Sequence, residues 1–162
     1  MKKLIILLSL LQSGLSFSSS ENPNGTPSFV TIGPSPACNY DTSSINGGSL
    51  QGALNSGIYE LRLVNNSNYA GPFTATGAFH LRGGYNNCSD ALNDIQGTNH
   101  SVLDADFIDS TLTLSVNGNY ILENIRIING QSNTGGGGLN LTANDMTVSL
   151  DRVIVENNQA ND

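Results

Sequence analysis

Asp104, Asp106 and Asp109 form the tight acidic cluster of this sequence, and Asp104-x-Asp106 has the strand spacing that puts two carboxylates on one face. Carboxylates holding a cation, beside an arginine base, could acidify a substrate carbon, which is the chemistry of a polysaccharide lyase. Arg126 and Arg152 are the basic candidates, expected to stack on one face beside Glu123 and Asp151. The plainer reading is preferred: the aspartates are a solvated turn and the arginines an outward-facing pair. A glycosidase needs two carboxyls about 5–10 Å apart, and no pair stands out. His80 alternates with Phe79 and Leu81 as an outward strand residue, and neither it nor His100 has a partner by sequence. No Gly-x-Ser-x-Gly elbow occurs. Gly135 to Gly138 lacks the Lys-Ser/Thr and helix of a phosphate cradle, so it is read as a corner where β-carbons would clash. No catalytic residue, cofactor or metal is assigned.

Cys38 and Cys88 are the two cysteines. In an oxidising compartment they could pair and close a long loop; the alternative is two free thiols. With two distant histidines they lack the ligand spacing of a metal site. Asn-x-Ser/Thr sites at Asn24, Asn65, Asn87, Asn99 and Asn140 matter only in a eukaryotic secretory path, which the style of the N-terminus does not favour.

That N-terminus reads as an export signal. Met1-Lys2-Lys3 is basic, Leu4 to Leu11 is apolar, and Gln12 to Ser20 is small and polar. Residues 1–18 are therefore expected to be a secretory signal, too short to span a bilayer, with no later run of about 20 apolar residues. Secretion or display at the cell surface follows. Beyond the signal, Arg62, Arg82, Arg126 and Arg152 stand against 13 acidic residues, a net charge near −9 (4 minus 13). A nucleic-acid partner needs a basic footprint and is discounted; an anionic membrane surface is disfavoured for the same reason.

The elements that must position these residues are short strands. Abundant Asn and Gly signal frequent turns and positive φ. Residues 19–57 read as a linker and N-terminal cap, with Phe29–Ile32 as one strand and Ser49 to Leu54 as a capping helix over the first edge. From residue 58, apolar alternation recurs in segments of three to seven residues ended by Asn or Gly. Leu122 to Gly130 and Leu150 to Asn158 match as Leu-x-x-β-x-β-x-Asn, an offset of 28 residues (150 minus 122). Phe79 to Gly84 reads as the same unit, 46 residues before Ile125 to Gly130, or two turns of about 23. One such unit cannot offset its own ordering entropy by burial and must stack on the next. Stacking would let each strand-terminal Asn bond its copy one turn on. The expected fold is all-β, a right-handed parallel β-helix over 58–162 preceded by its cap; a β-sandwich is the alternative.

Gly136-Gly137-Gly138-Leu139 is similar to the Gly-Gly-Ala-(Ile/Leu/Val) motif of polymorphic outer-membrane proteins. Val155-Glu156-Asn157-Asn158-Gln159-Ala160 resembles their Phe-x-x-Asn motif continued as x-Ala. Gly138 stands in place of Ala and Val155 in place of Phe. Phe79 to Ala160 resembles the wider class of bacterial pectate-lyase-like β-helix surface proteins, in which a Gly-Gly-Tyr segment and a Cys, here Gly83-Gly84-Tyr85 and Cys88, commonly precede the regular coils. The resemblance implies an exported, elongated, non-enzymatic protein that adheres to a host or matrix ligand or glycan. Family members carry many coils and often a C-terminal barrel, so a truncated β-helix is expected, with an open edge able to self-associate. The second expectation is an incomplete pectate-lyase-like lyase or hydrolase.

Overall fold

The computed structural model describes residues 28–35, 37–41 and 48–161. The expected signal over 1–18 and much of the expected linker lie outside them. Two strands, β1 (Phe29–Gly33) and β2 (Tyr40–Asp41), precede helix α1 (Gly48–Asn55). The chain continues through β3 (Glu60–Val64), β4 (Asn68–Ala70), β5 (Phe73–Ala75) and β6 (Phe79–Tyr85) to a short helix α2 (Cys88–Leu92). Next come β7 (Ser101–Asp104), β8 (Leu112–Leu114), β9 (Gly118–Glu123), β10 (Ile125–Ile128), β11 (Gln131–Ser132) and β12 (Leu139–Leu141). Last are β13 (Met146–Asp151), β14 (Ile154–Glu156) and β15 (Gln159–Ala160).

These strands form a six-stranded sheet (β13-β9-β6-β3-β1-β2), a four-stranded sheet (β14-β10-β7-β4), a three-stranded sheet (β12-β8-β5) and the pair β11-β15. Every pairing among the described residues is parallel. A β-sandwich is built from antiparallel strands, so that alternative is set aside. Parallel neighbours require a crossover. Here the crossover is made of strands: between β3 and β6 the chain contributes β4 to the second sheet and β5 to the third.

Register stacks like residues on like. Leu61, Leu81, Leu122 and Leu150 lie opposite one another across β3, β6, β9 and β13. Tyr69, Leu103, Ile127 and Val155 do the same across β4, β7, β10 and β14. Phe73, Leu112 and Leu139 form a third column, and Ala75, Leu114 and Leu141 a fourth. Phe79 and Tyr120 are opposite partners whose rings meet edge to face at 5.3 Å. The buried members of these columns belong to one core.

The first turn is covered by α1, which matches the expected capping helix to within one residue at each end. Leu50, Ala53 and Leu54 are buried in the core. Gln51 goes further. Its amide nitrogen donates to the Thr74 carbonyl at 2.8 Å and its amide oxygen accepts from the Thr74 N–H at 2.9 Å. One side chain thus does for the β5 edge what a further strand would do. The β1 strand lies inside the stretch read as linker and cap, yet it pairs in register with β3 and belongs to the main sheet.

The 28-residue offset is the register of the last two turns: Arg126 lies opposite Ile154 and Leu122 opposite Leu150. The match of Phe79–Gly84 to Ile125–Gly130 is not. Leu81 pairs with Leu122 in the six-stranded sheet, whereas Ile125–Ile128 belongs to the four-stranded one. One turn there takes 41 residues, not two of 23, because α2 and its flanks are inserted between β6 and β7. Asn87 caps α2, accepting from the Asp90 N–H at 2.9 Å.

Cys38 and Cys88 are joined by a disulfide that ties the β1–β2 region to α2 across a sequence separation of 50. A loop of that length is worth about 4 kcal/mol in the chain-entropy model. Reduction, or a paired Cys38→Ser and Cys88→Ser change, is expected to lower the urea midpoint by a corresponding amount. An unchanged midpoint would show that the tie contributes nothing.

Candidate functional site

The two glycine- and asparagine-rich motifs meet at one corner. Gly137 lies under the Gln159 backbone, so a β-carbon there would strike the Gln159 carbonyl. At Gly138 a β-carbon would stand 2.6 Å from the Asn158 amide and 2.8 Å from Val155. The carbonyls of Gly137 and Gly138 accept from Thr111 and Leu112 at 2.9 and 3.0 Å. Asn158 is the hub: its oxygen accepts from the Gly130 N–H at 2.7 Å, and its nitrogen donates to the Ile127 and Glu156 carbonyls at 3.0 and 2.9 Å. Leu139 packs against the core, and Ala160 lies on β15 opposite Ser132. This corner holds one turn on the next by backbone contact.

The asparagine ladder is real but mixed. Asn161 donates to Asn133 at 2.9 Å across 28 residues, and Asn65 donates to Asn86 at 3.1 Å. Other asparagines bond backbone instead, as Asn117 accepts from the Asp145 N–H at 3.1 Å. Asn124, Asn129 and Asn157 sit at φ near 56°, 55° and 56°, the left-handed conformation that Asn tolerates best after Gly.

Asp104 belongs to this corner system. One oxygen accepts from the Asp106 N–H at 3.0 Å and the Asn129 amide at 2.9 Å; the other accepts from Asn68 at 3.3 Å. Burial pushes its carboxyl up, but these hydrogen bonds outweigh it and hold the pKa below the ordinary value. Asp106 follows in the left-handed region and is exposed, and Asp109 accepts from the next N–H at 2.7 Å. No group of three or more His, Cys, Asp or Glu residues could hold a metal ion among the described residues.

The two arginines do not stack. They are 26 residues apart, two short of the register, so Arg126 faces Ile154 and pairs with Glu156. Arg152 follows β13 at φ 49°, a corner position equivalent to Asn124, and bonds Asp151 at 3.3 Å and Gln96 at 2.7 Å.

The densest charged assembly is one that sequence spacing did not reveal. On the outer face of the six-stranded sheet, register sets Arg62 opposite Arg82 and Arg82 opposite Glu123. Arg82 pairs with Glu123 at 2.9 Å, Asp94 at 2.7 Å and Glu60 at 3.3 Å. Arg62 pairs with Glu60 at 2.6 Å, donates to the Ala91 carbonyl at 2.7 Å and lies 3.8 Å from the Phe29 ring centre. Tyr85 donates to Asp94 at 2.7 Å, and His80 stands 3.1 Å from Glu123. Burial raises the Asp94 pKa, but the Arg82 and Tyr85 hydrogen bonds and the two guanidinium charges lower it further, leaving it net depressed. Burial, with the Asp94 hydrogen bond, drives the Tyr85 phenol up. Two guanidiniums thus hold three carboxylates, and the network clamps the α2 insertion onto the sheet.

A shallow groove of about 340 Å³ runs along the outside of the four-stranded sheet, lined by Asn65, Asn66, Asn68, Val102, Asp104 and Ile128. Its walls offer amide donors and acceptors beside one carboxylate. A second cavity of about 230 Å³ lies against the disulfide, between Pro34, Ala37, Val64 and Cys88. No described helix is long and apolar enough to cross a membrane. Comparison with known proteins finds no matching family model, curated protein or solved structure.

Two outcomes follow. Asn158→Ala strands the Gly130 N–H and two carbonyls at a partly buried corner and is expected to lower stability by about 1–3 kcal/mol, read by chemical unfolding. The depressed Asp94 pKa stabilises the fold at pH values above its ordinary 3.8, and that contribution disappears as pH falls through the depressed value. Wild type is therefore expected to lose stability below about pH 4 more steeply than Asp94→Asn. Parallel pH profiles would mean that the clamp is energetically silent.

Proposed function

We propose that this chain is an exported right-handed parallel β-helix, similar to the pectate-lyase-like surface proteins, that works outside the cell by binding rather than by catalysis. The 28-residue register and the stacked columns of like residues support the solenoid reading. The meeting of Gly136–Leu139 with Val155–Ala160 at one corner gives the two family-like motifs a shared physical role.

The observation that carries a binding role is the asparagine-lined groove beside Asp104. Amide side chains and one carboxylate, set on a rigid sheet, match neutral polyhydroxylated ligands such as glycans better than anionic ones, since the chain carries a net negative charge. The residues considered for lyase chemistry have structural partners: Asp104 joins corners, Arg126 pairs with Glu156, and Arg152 bonds Asp151 and Gln96.

Binding of the exported chain to arrays of neutral glycans and matrix proteins, compared with Asn66→Ala, tests this. The expected result is a ligand whose affinity drops at least about tenfold, 1.4 kcal/mol, in the variant. Release of unsaturated product from polygalacturonate would overturn the binding reading in favour of a lyase.

A further inference from the structure

The corner between β7 and β8 is longer than the one stacked beneath it. Register places Ala70, Asp104 and Ile128 opposite one another, and likewise Phe73, Leu112 and Leu139. The chain covers that step in 3 residues in one turn (73 minus 70), 8 in the next (112 minus 104) and 11 in the third (139 minus 128). The middle corner thus has five more residues to place than the tight Gly71-Pro72 corner (8 minus 3), and within it Phe107 and Ile108 are 43% and 72% exposed. The turns on both sides of this corner are present, so their exposure is not that of a stack end.

Neither the backbone nor the core calls for phenylalanine here. Asp106 and Phe107 are consecutive left-handed residues, at φ 50° and 59°. Asp tolerates that conformation, whereas a bulky side chain reaches it at a cost. Glycine would make the same backbone bonds without the strain. The segment is nevertheless fixed. The Asp106 N–H donates to Asp104 at 3.0 Å, the Phe107 N–H to the Asn129 carbonyl at 2.6 Å, and the Ile108 N–H to the Ala105 carbonyl at 3.0 Å. Phe107 takes no part in the buried core. An aromatic side chain held under strain and in solvent marks a task outside the fold. The corner leaves directly from the asparagine-lined groove: Asp104 lines the groove and bonds Asp106, and Asn129, which holds Asp104, also holds Phe107.

We infer that Phe107 is the aromatic platform of that groove, and that the ligand is a neutral hexopyranose chain that lays the C–H face of one ring on it. This rests on the binding reading above and adds the class of sugar. The C–H groups of a pyranose face carry partial positive charge and meet the negative face of an aromatic ring. The hydroxyls at the ring edge suit amide donors and acceptors such as Asn66 and Asn68. Exposed Asp106 and Asp109 flank the platform, so uronic acids and anionic lipid surfaces meet like charge there.

The chain has no tryptophan, so Phe107→Trp places a single indole at the corner. Its emission is expected to shift saturably with neutral hexose oligosaccharides and not with oligogalacturonate, at an affinity close to that of wild type by calorimetry. Phe107→Ala and Phe107→Leu are expected to bind at least about tenfold more weakly. The leucine variant tests whether a ring face, rather than apolar bulk, is required. Phe107→Gly should lose binding equally yet unfold at no lower urea concentration than wild type, because relief of strain offsets the freedom that glycine gives the unfolded chain. A lowered midpoint would make the ring structural and overturn the inference. Binding that survives Phe107→Ala but falls in Asn66→Ala would overturn it too, and leave the binding reading standing. A wild-type chain that binds no neutral oligosaccharide but captures a matrix protein would overturn the sugar assignment alone; one that binds neither would overturn both readings.

Discussion

Everything in this molecule depends on parallel strands lying in register one turn above another. A single turn cannot bury its own apolar side chains, because it is one strand thick along the stacking direction. Its interior becomes dry only when a neighbour covers it, as the fully buried Leu122 and the half-exposed Leu150 show for the same position in successive turns. Burial of a leucine contributes about 1.5–3 kcal/mol, so stability accrues turn by turn and the ends decide how the stack is closed. At the first end the chain uses α1 and one glutamine, whose amide mimics a peptide group opposite Thr74.

Stacking at close spacing puts the corners under the strictest demand, and the composition answers it. A corner must turn sharply, so it needs a left-handed residue, and the backbone one turn away leaves no room for a β-carbon. Asn124, Asn129 and Asn157 meet the first demand, and Gly137, whose β-carbon would strike the Gln159 carbonyl, meets the second. Asn158 adds the hydrogen bonds that the turning backbone cannot make to itself. Gly84, at φ 86° and pressed against Asn124, combines both demands in one residue.

This division explains what could be read from sequence. The last two turns carry no insertion, so their 28-residue offset stands out in Leu122–Gly130 and Leu150–Asn158, and the need to cover the first edge points to the helix at Ser49–Leu54. The earlier turns were not legible. The step from Leu61 to Leu81 is 20 residues and that from Arg82 to Glu123 is 41, so no fixed period connects them. The likeness of Phe79–Gly84 to Ile125–Gly130 therefore joins strands of two different sheets. The charge clamp was hidden for the same reason. Glu60, Arg62, His80, Arg82, Asp94 and Glu123 have no common spacing, and only register brings them together. The Arg126–Arg152 stack failed on a two-residue slip, enough to move the second arginine from a strand to a corner.

The clamp and the groove show how differently the outward faces of two sheets are furnished. On the six-stranded sheet the outward positions carry charges that pair with one another, which fastens an inserted helix. On the four-stranded sheet the outward positions near Asn68 and Asp104 carry amides and a single anchored carboxylate, and the surface stays open. Inward residues are constrained by the columns and corner residues by the turn, so the outward face is where sequence can change without loss of the stack. In the groove the Asn68 amide is held by one oxygen of Asp104, and the other oxygen is held by Asn129 and the Asp106 N–H, so these polar groups fix one another without a partner of opposite charge.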